Sequence, residues 1–218
     1  MVNPLAIFDL DSTILEGDCE RLWANFLLQE GIVDNSFTER IDDYARDYEL
    51  GQIDYIGFET FLLQPLASIP GEQLYKIHET FMQQIARRIR PVMLARLEKH
   101  RADGYTLILL TASNSFLVEP IAKMLGIPNL FCTIAEMQDG HPTGKIVGTP
   151  AYNSQKVILI KNWLNDRHAS LAESWGYSDS HNDLPFLKMV EHPVAVTPDA
   201  ILRRYARQNG WEIIEKTA

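Results

Sequence analysis

Leu5-Ala6-Ile7-Phe8-Asp9-Leu10-Asp11-Ser12-Thr13 opens as an apolar tetrad and stops abruptly in two carboxylates and two hydroxyls. An apolar run this short, bounded by polar residues, predicts a strand buried on both faces, as in a parallel sheet. The same figure recurs at Tyr105 to Leu110, Glu173 to Tyr177 and Pro193 to Val196, each followed by a polar loop. Helical patterns separate these runs at Met93 to Arg101, Phe116 to Leu125, Lys156 to Leu164 and Leu184 to Val190. Such alternation predicts right-handed βαβ units, hence an α/β fold of Rossmann-like type: a parallel sheet with helices on both faces. Ligands of such sheets bind beyond the C-terminal ends of the strands.

One block interrupts the alternation. From Glu16 to Arg88 the pattern is helical throughout, with Leu22, Phe26 and Leu27, then Phe58, Phe61 and Leu62, then Leu74, Ile77, Phe81 and Ile85 at helical spacing. Gly51 and Pro70-Gly71 punctuate it. The expected organisation is a core made of residues 1-15 and 89-218, with residues 16-88 inserted as a helical cap domain. Cys132 to Val147, with Asp139-Gly140 in its middle, reads as a β-hairpin beside the main sheet.

The 218 residues carry 29 acids against 20 Lys and Arg, a formal charge of −9, so an electrostatic grip on nucleic acid or an anionic membrane is not expected. At 46% hydrophobic and 22% charged the chain has enough apolar residues for a full core. Cys19 and Cys132 are too few for a disulfide scaffold or a thiolate cage, which suits a reducing, cytoplasmic setting. Apolar runs fall far short of the ~20 residues that cross a bilayer. The run Pro4 to Phe8 meets Asp9 too soon for a signal peptide.

Asp9 and Asp11, at positions i and i+2 past a strand, can face one site. Two close carboxylates resist ionising together, which sets an acid beside a base, and they offer the hard oxygens that Mg²⁺ prefers. A plainer reading is a loop whose Asp, Ser and Thr satisfy backbone donors. A Ca²⁺ loop running from Asp9 to Glu20 fits poorly, because its sixth position is Ile14 instead of Gly and an apolar run precedes it. Thr111-Ala112-Ser113-Asn114 ends a second run with hydroxyls and free N–H groups able to hold a phosphate oxygen. Lys156 opens a helical segment and supplies a point charge. Trp175 to Asp183 ends a third run with Asp179 and Asp183 four apart, which could equally be a helix N-cap cluster. Each feature has an ordinary structural reading; all four in this order, each beyond an expected strand, point to one site.

Taken together, Asp9-Leu10-Asp11-Ser12-Thr13, Thr111, Lys156 and Asp179-Ser180-His181-Asn182-Asp183 resemble the four motifs of the haloacid dehalogenase superfamily, in its phosphoserine-phosphatase-like branch. The resemblance spans nearly the whole chain, and the insertion is similar to that family's mobile cap of the first type, C1. It implies a Mg²⁺-dependent phosphomonoesterase. Asp9 would be the nucleophile and Asp11 the general acid and base. Thr13, Thr111, Ala112, Ser113 and Lys156 would cradle the phosphate. Asp9, the main-chain carbonyl of Asp11 and Asp179 would hold Mg²⁺, with Asp183 behind them.

The same resemblance frames the substrate. Phosphoserine phosphatases place an amine-reading acid where Asp18 stands, but the segment in which their carboxylate-gripping Arg lies, Ile56 to Leu66, holds no Arg or Lys here. A buried substrate carboxylate without a cation is costly. That disfavours phosphoserine and favours a phosphorylated metabolite with an amine and no carboxylate, such as L-histidinol phosphate. Tyr177 to Leu187 and Gly210-Trp211 also look like branch members that act on that compound. Phosphoserine, a broader range of small phosphomonoesters, and phosphoryl transfer to an alcohol remain alternatives. Candidate leaving-group contacts are Asp18, Trp23 and Glu59. Asp42, Asp43 and Asp47 are more simply a solvated face, Tyr44, Tyr55 and Phe58 cap core, and Arg87, Arg88 and Arg90 a solvated helix end. His181 reads as a helix-start residue, and Cys19 receives no role.

Overall fold

β1 (Leu5–Phe8) is buried at every residue. It lies between β2 (Thr106–Asn114) and β5 (Trp175–Ser178), parallel to both. The computed structural model describes residues 3–215. Around β1 runs a seven-stranded sheet in the order β4-β3-β2-β1-β5-β6-β7, where β3 is Asn129–Gln138, β4 His141–Val147, β6 His192–Val196 and β7 Glu212–Ile214. Every pairing is parallel except β3 with β4. This is the mostly parallel α/β sheet that the apolar runs predict. Helices α5 (Pro91–Ala102), α6 (Ser115–Met124), α7 (Ser154–Arg167), α8 (Leu184–Leu187) and α9 (Ala200–Gln208) connect its strands.

The sheet adds two details to the sequence reading. The hairpin Cys132 to Val147 is present at the edge of the sheet, and its first strand is itself a member of the sheet. β3 changes partner midway: Asn129, Leu130 and Phe131 align with Ile108, Leu109 and Leu110 of β2, and only Ile134 onward pairs with β4. The sequence shows the turn Asp139-Gly140 but not which edge its strands occupy. β7 escapes the sequence because an exposed Glu212 followed by half-buried Ile213 and Ile214 makes no apolar run of strand length.

Between β1 and α5 lie α1 (Cys19–Gln29), α2 (Asn35–Glu49), α3 (Tyr55–Leu63) and α4 (Gly71–Ala86). Asp18, Asp34 and Asp54 start the first three by accepting main-chain N–H groups, as short acids do at helix N-termini. The chain leaves and re-enters the sheet layer through paired strands. Leu15 bridges Ile89, Glu16 N–H donates to the Arg88 carbonyl at 2.7 Å, and Arg90 N–H to the Ile14 carbonyl at 2.9 Å. Among the described residues no helix is long and apolar enough to cross a membrane.

Under α5, His100 is 5% exposed and its Nε2 meets the Tyr177 hydroxyl at 2.8 Å, while its Nδ1 has no hydrogen-bond partner. Burial, and then Arg96, lower its pKa to about 4. The folded state therefore binds fewer protons than the unfolded chain between about 4 and the usual His value. This contribution is complete above the unfolded pKa and is lost as pH falls toward about 4. Thermal melts of wild type and His100→Gln are expected to converge across that window, the wild type losing on the order of 2 kcal/mol more by pH 4.5. A constant difference in Tm from pH 7 to pH 4.5 would contradict this.

Candidate active site

Where β1 ends, Asp9 N–H donates to the Tyr177 carbonyl at 2.9 Å and keeps the strand direction through Asp9. The chain then turns within Leu10–Ile14, with Ser12 at φ +53°, and Ser12 N–H closes onto the Gly17 carbonyl at 2.9 Å. Gly17 itself sits at φ +103°, a conformation that side chains disfavour. This tight return brings the start of α1 over the end of β1. Cys19 N–H donates to Asp11 Oδ1 at 2.7 Å.

β2 contributes through a bulge. Its register against β3 slips between Leu110 and Asn114, so Thr111, Ala112 and Ser113 leave the regular ladder, as bulged strands do beside functional sites. The Ser113 hydroxyl donates to Asp11 Oδ2 at 2.6 Å, and the Thr111 hydroxyl reaches the same oxygen at 3.4 Å. Both hydroxyls are thus engaged with Asp11, and with Cys19 N–H they fix that carboxylate in place.

Lys156, in the first turn of α7, is 3% exposed and donates to Asp9 Oδ1 at 2.9 Å and Asp183 Oδ2 at 2.8 Å. Asp183 Oδ2 also accepts the Ser178 hydroxyl at 2.7 Å. Burial alone would lower the Lys156 pKa, but Asp183 and Asp9 outweigh it and raise it. Burial pushes Asp9 up to about 7 against the pull of Lys156, with Asp183 and Asp11 adding to the rise. Asp179 is raised by burial, then by Asp9 and Asp183. Three carboxyls, Asp9, Asp179 and Asp183, therefore share one ammonium. Such a surplus of hard, mutually repelling oxygens fits a divalent cation, which would return Asp9 to its ionised form. Among the described residues no group of three or more His, Cys, Asp and Glu side chains could hold a metal. This is compatible with a set of two carboxylates and one main-chain carbonyl completed by water.

Asp9, Asp11, Thr111, Ala112, Ser113, Lys156 and Asp179 all line one cavity of about 430 Å³, roofed by α1, α2 and α3. Asp18 lines it too. Its Oδ1 accepts Glu20 N–H and Arg21 N–H at 2.9 and 2.8 Å, and burial followed by Asp11 pushes it up to about 7. Tyr48 closes one side: its hydroxyl approaches Ser180 Oγ at 3.4 Å, and its carbonyl accepts Asn182 Nδ2 at 3.4 Å. His181 is pinned by Asp199, which accepts both its N–H and its ring Nδ1.

Three expected contacts fall elsewhere. Thr13 is fully buried, and its hydroxyl turns to Asp179 Oδ1 at 3.4 Å instead of the cavity. Trp23 is also fully buried, among Phe26, Phe81 and Phe116. Its spacing to Phe26 and Leu27 sets it on the apolar stripe of α1, away from any leaving group. Glu59 does not reach the cavity wall; it lies behind Glu20, joined to it through Asn114. Glu20 and Asn114 received no site role from the sequence. Glu20 stood only as the last position of a rejected Ca²⁺ loop, and Asn114 as the end of the Thr-Ala-Ser-Asn quartet. Asp42 and Asp43 form exposed ion pairs with Arg21 and Arg46.

The comparison with protein families matches residues 6–188 to the haloacid dehalogenase-like hydrolases. The chain belongs to this family. A histidinol-phosphatase of Neisseria meningitidis serogroup C is 37% identical over 217 residues, covering 96% of this chain and 97% of that one. A phosphoserine phosphatase of Mycobacterium tuberculosis is 30% identical over 218 residues, covering 95% of this chain and 69% of its own length. A crystal structure of a Bordetella pertussis protein of unknown function superposes with a TM-score of 0.88 at 36% identity, covering 99% of each chain. This haloacid dehalogenase-like chain is a phosphatase.

Proposed function

We propose that this phosphatase hydrolyses L-histidinol phosphate through an aspartyl-phosphate on Asp9, with Mg²⁺ held by Asp9, the Asp11 carbonyl and Asp179. The observation that carries the chemistry is the convergence of Asp9, Asp11 and Lys156 on one cavity, with Asp11 fixed by three hydrogen bonds. Asp9 attacks phosphorus in line, and the P–O bond to the leaving group breaks. Asp11 gives its proton to the departing alkoxide. It then takes one from the water that attacks the aspartyl-phosphate, which frees phosphate and restores Asp9. Lys156, together with the main-chain N–H groups of the β2 bulge, holds the phosphoryl oxygens whose charge grows in the transition state. Bound Mg²⁺ would offset the repulsion between the anionic nucleophile and the anionic ester. The helices of residues 16-88 act as the cap that shelters this step from water.

The roof of the cavity supports an amine-bearing leaving group. It holds Asp18 and Glu20 with Tyr44, Tyr55 and Phe58, and the histidinol-phosphatase of N. meningitidis matches along its whole length. Arg21 favours a second reading. It also lines the cavity, and although Asp42 holds it at 2.6 Å, it is the cation a phosphoserine carboxylate would recruit.

Phosphate release from histidinol phosphate, phosphoserine and p-nitrophenyl phosphate separates the readings. The expected order of kcat/KM puts histidinol phosphate first by ~10-fold or more. Phosphoserine ahead of histidinol phosphate, with a loss confined to phosphoserine in Arg21→Ala, would establish the second reading. Activity is expected to vanish in EDTA and to return with Mg²⁺; persistence in EDTA would refute the metal assignment.

A further inference from the structure

We propose that Glu20, at the wall of the active cavity, and Glu59, behind it and joined to it through Asn114, form a subsite that selects a protonated nitrogen in the leaving group. This rests on the phosphatase reading and names the feature by which the site chooses among phosphomonoesters.

Glu20 is 1% exposed and Glu59 is fully buried. Their carboxyls are joined through one side-chain amide, that of Asn114. Asn114 Nδ2 donates to Glu20 Oε1 at 2.8 Å and to Glu59 Oε2 at 3.0 Å, and Asn114 N–H reaches Glu20 Oε1 at 3.1 Å. Glu59 Oε1 is buried and has no hydrogen-bond donor. The charges that weigh most on Glu20 are Glu59, Asp18 and Asp11, all negative. No cation among the described residues forms an ion pair with either glutamate. Lys156 answers Asp9 and Asp183, but among the described residues no cation is paired with Glu20 or Glu59.

Two buried carboxyls held on one amide, with no cation beside them, resist ionising together. Burial first and then neighbouring acids raise both, Glu59 to about 8. A structural bridge between α1, α3 and the end of β2 needs no second acid. A glutamine at either position would make the same hydrogen bonds without repulsion. The second acid gains a use when a cation enters, because a proton held by the pair then leaves to solvent and Glu20 meets the ammonium or imidazolium with the charge of Glu59 behind it. Glu20 lines the cavity, and Tyr55 and Phe58 line it too.

The decisive comparison is O-phosphoethanolamine against ethyl phosphate, which differ by one ammonium, with histidinol phosphate as a third substrate. Wild type is expected to favour the ammonium ester. In Glu59→Gln and in Glu20→Gln the kcat/KM ratio of ammonium to ethyl ester should fall by ~10-fold or more, the loss residing mainly in KM. Glu59→Asp, which keeps the charge, should retain most of the ratio. A purely structural pair would change both esters alike. A ratio within ~2-fold of wild type in the Gln variants that melt near the wild-type Tm overturns the proposal, as does a wild type that does not distinguish the two esters. If histidinol phosphate is a poor substrate while the ammonium preference and its loss are observed, the substrate reading falls and this subsite stands. If no ester releases phosphate, the phosphatase reading fails first.

Discussion

Asp9→Asn is expected to release phosphate at least ~10⁴-fold more slowly than wild type with every phosphomonoester, while folding normally. Loss of a covalent nucleophile is among the largest single effects in enzymes, because the groups around it act as a unit and cannot replace it. The carboxamide keeps the shape of Asp9, so the main-chain bond to Tyr177 and the strand that carries it persist. Lys156 keeps its second partner, Asp183, at 2.8 Å. What disappears is the anionic oxygen proposed to attack phosphorus and half of the charge proposed to hold Mg²⁺. Acid-quenched wild type should retain phosphate covalently when mixed with labelled substrate, and Asp9→Asn should retain none. A variant within ~10-fold of wild-type kcat would exclude the aspartyl-phosphate route, leaving direct attack by water as the chemistry of this site. Asp11→Asn is the natural partner experiment. Its carboxyl accepts from Cys19 N–H, Ser113 and Thr111, so an amide disturbs orientation as well as proton transfer, and both half-reactions should slow.

The sheet was legible because buried parallel strands write themselves as short, uniformly apolar runs, and each of the functional loops begins where such a run ends. Asp9, Thr111 and Asp179 could be placed beyond strands for that reason, and Lys156 at a helix start from Asn153-Ser154 before it. Partner choice within the sheet was less legible. β3 serves β2 with its first half and β4 with its second, and no local pattern marks that exchange. Direction of side chains was the other loss. Thr13 and Trp23 lie close in sequence to the site yet point into protein, Thr13 onto Asp179 and Trp23 into the aromatic cluster of α1, α4 and α6. Glu20 and Glu59 are 39 positions apart and meet only because α3 folds back over the start of α1 against the end of β2. A long-range acid pair has no spacing signature; its physical signature is burial without a counter-charge, which only a folded chain displays.

Lys156→Met should lower the melting temperature by roughly 10 °C and abolish activity. The lysine is the one ammonium between Asp9 and Asp183, at 2.9 and 2.8 Å, and all three side chains are at least nine-tenths buried. Removing one partner of a buried ion pair leaves uncompensated charge, which costs ~3–5 kcal/mol, and each kcal/mol shifts Tm by ~2–4 °C in a chain of this size. Methionine fills nearly the same volume, so the loss measures charge and not a cavity. A second substitution separates stability from catalysis. Asp183→Asn in the Lys156→Met background removes one of the two stranded acids, and the Ser178 hydroxyl can still donate to the amide oxygen. The double variant is therefore expected to recover much of the lost Tm, measured in EDTA so that a metal cannot substitute for the lysine. It should remain at least ~10³-fold below wild type in phosphate release, because the cation that meets the phosphoryl oxygens is gone. Recovery of both stability and rate would reduce Lys156 to a scaffold for Asp183. A Tm within ~2 °C of wild type in Lys156→Met would mean that the buried triad contributes little to folding and that its acids are already neutral without the lysine.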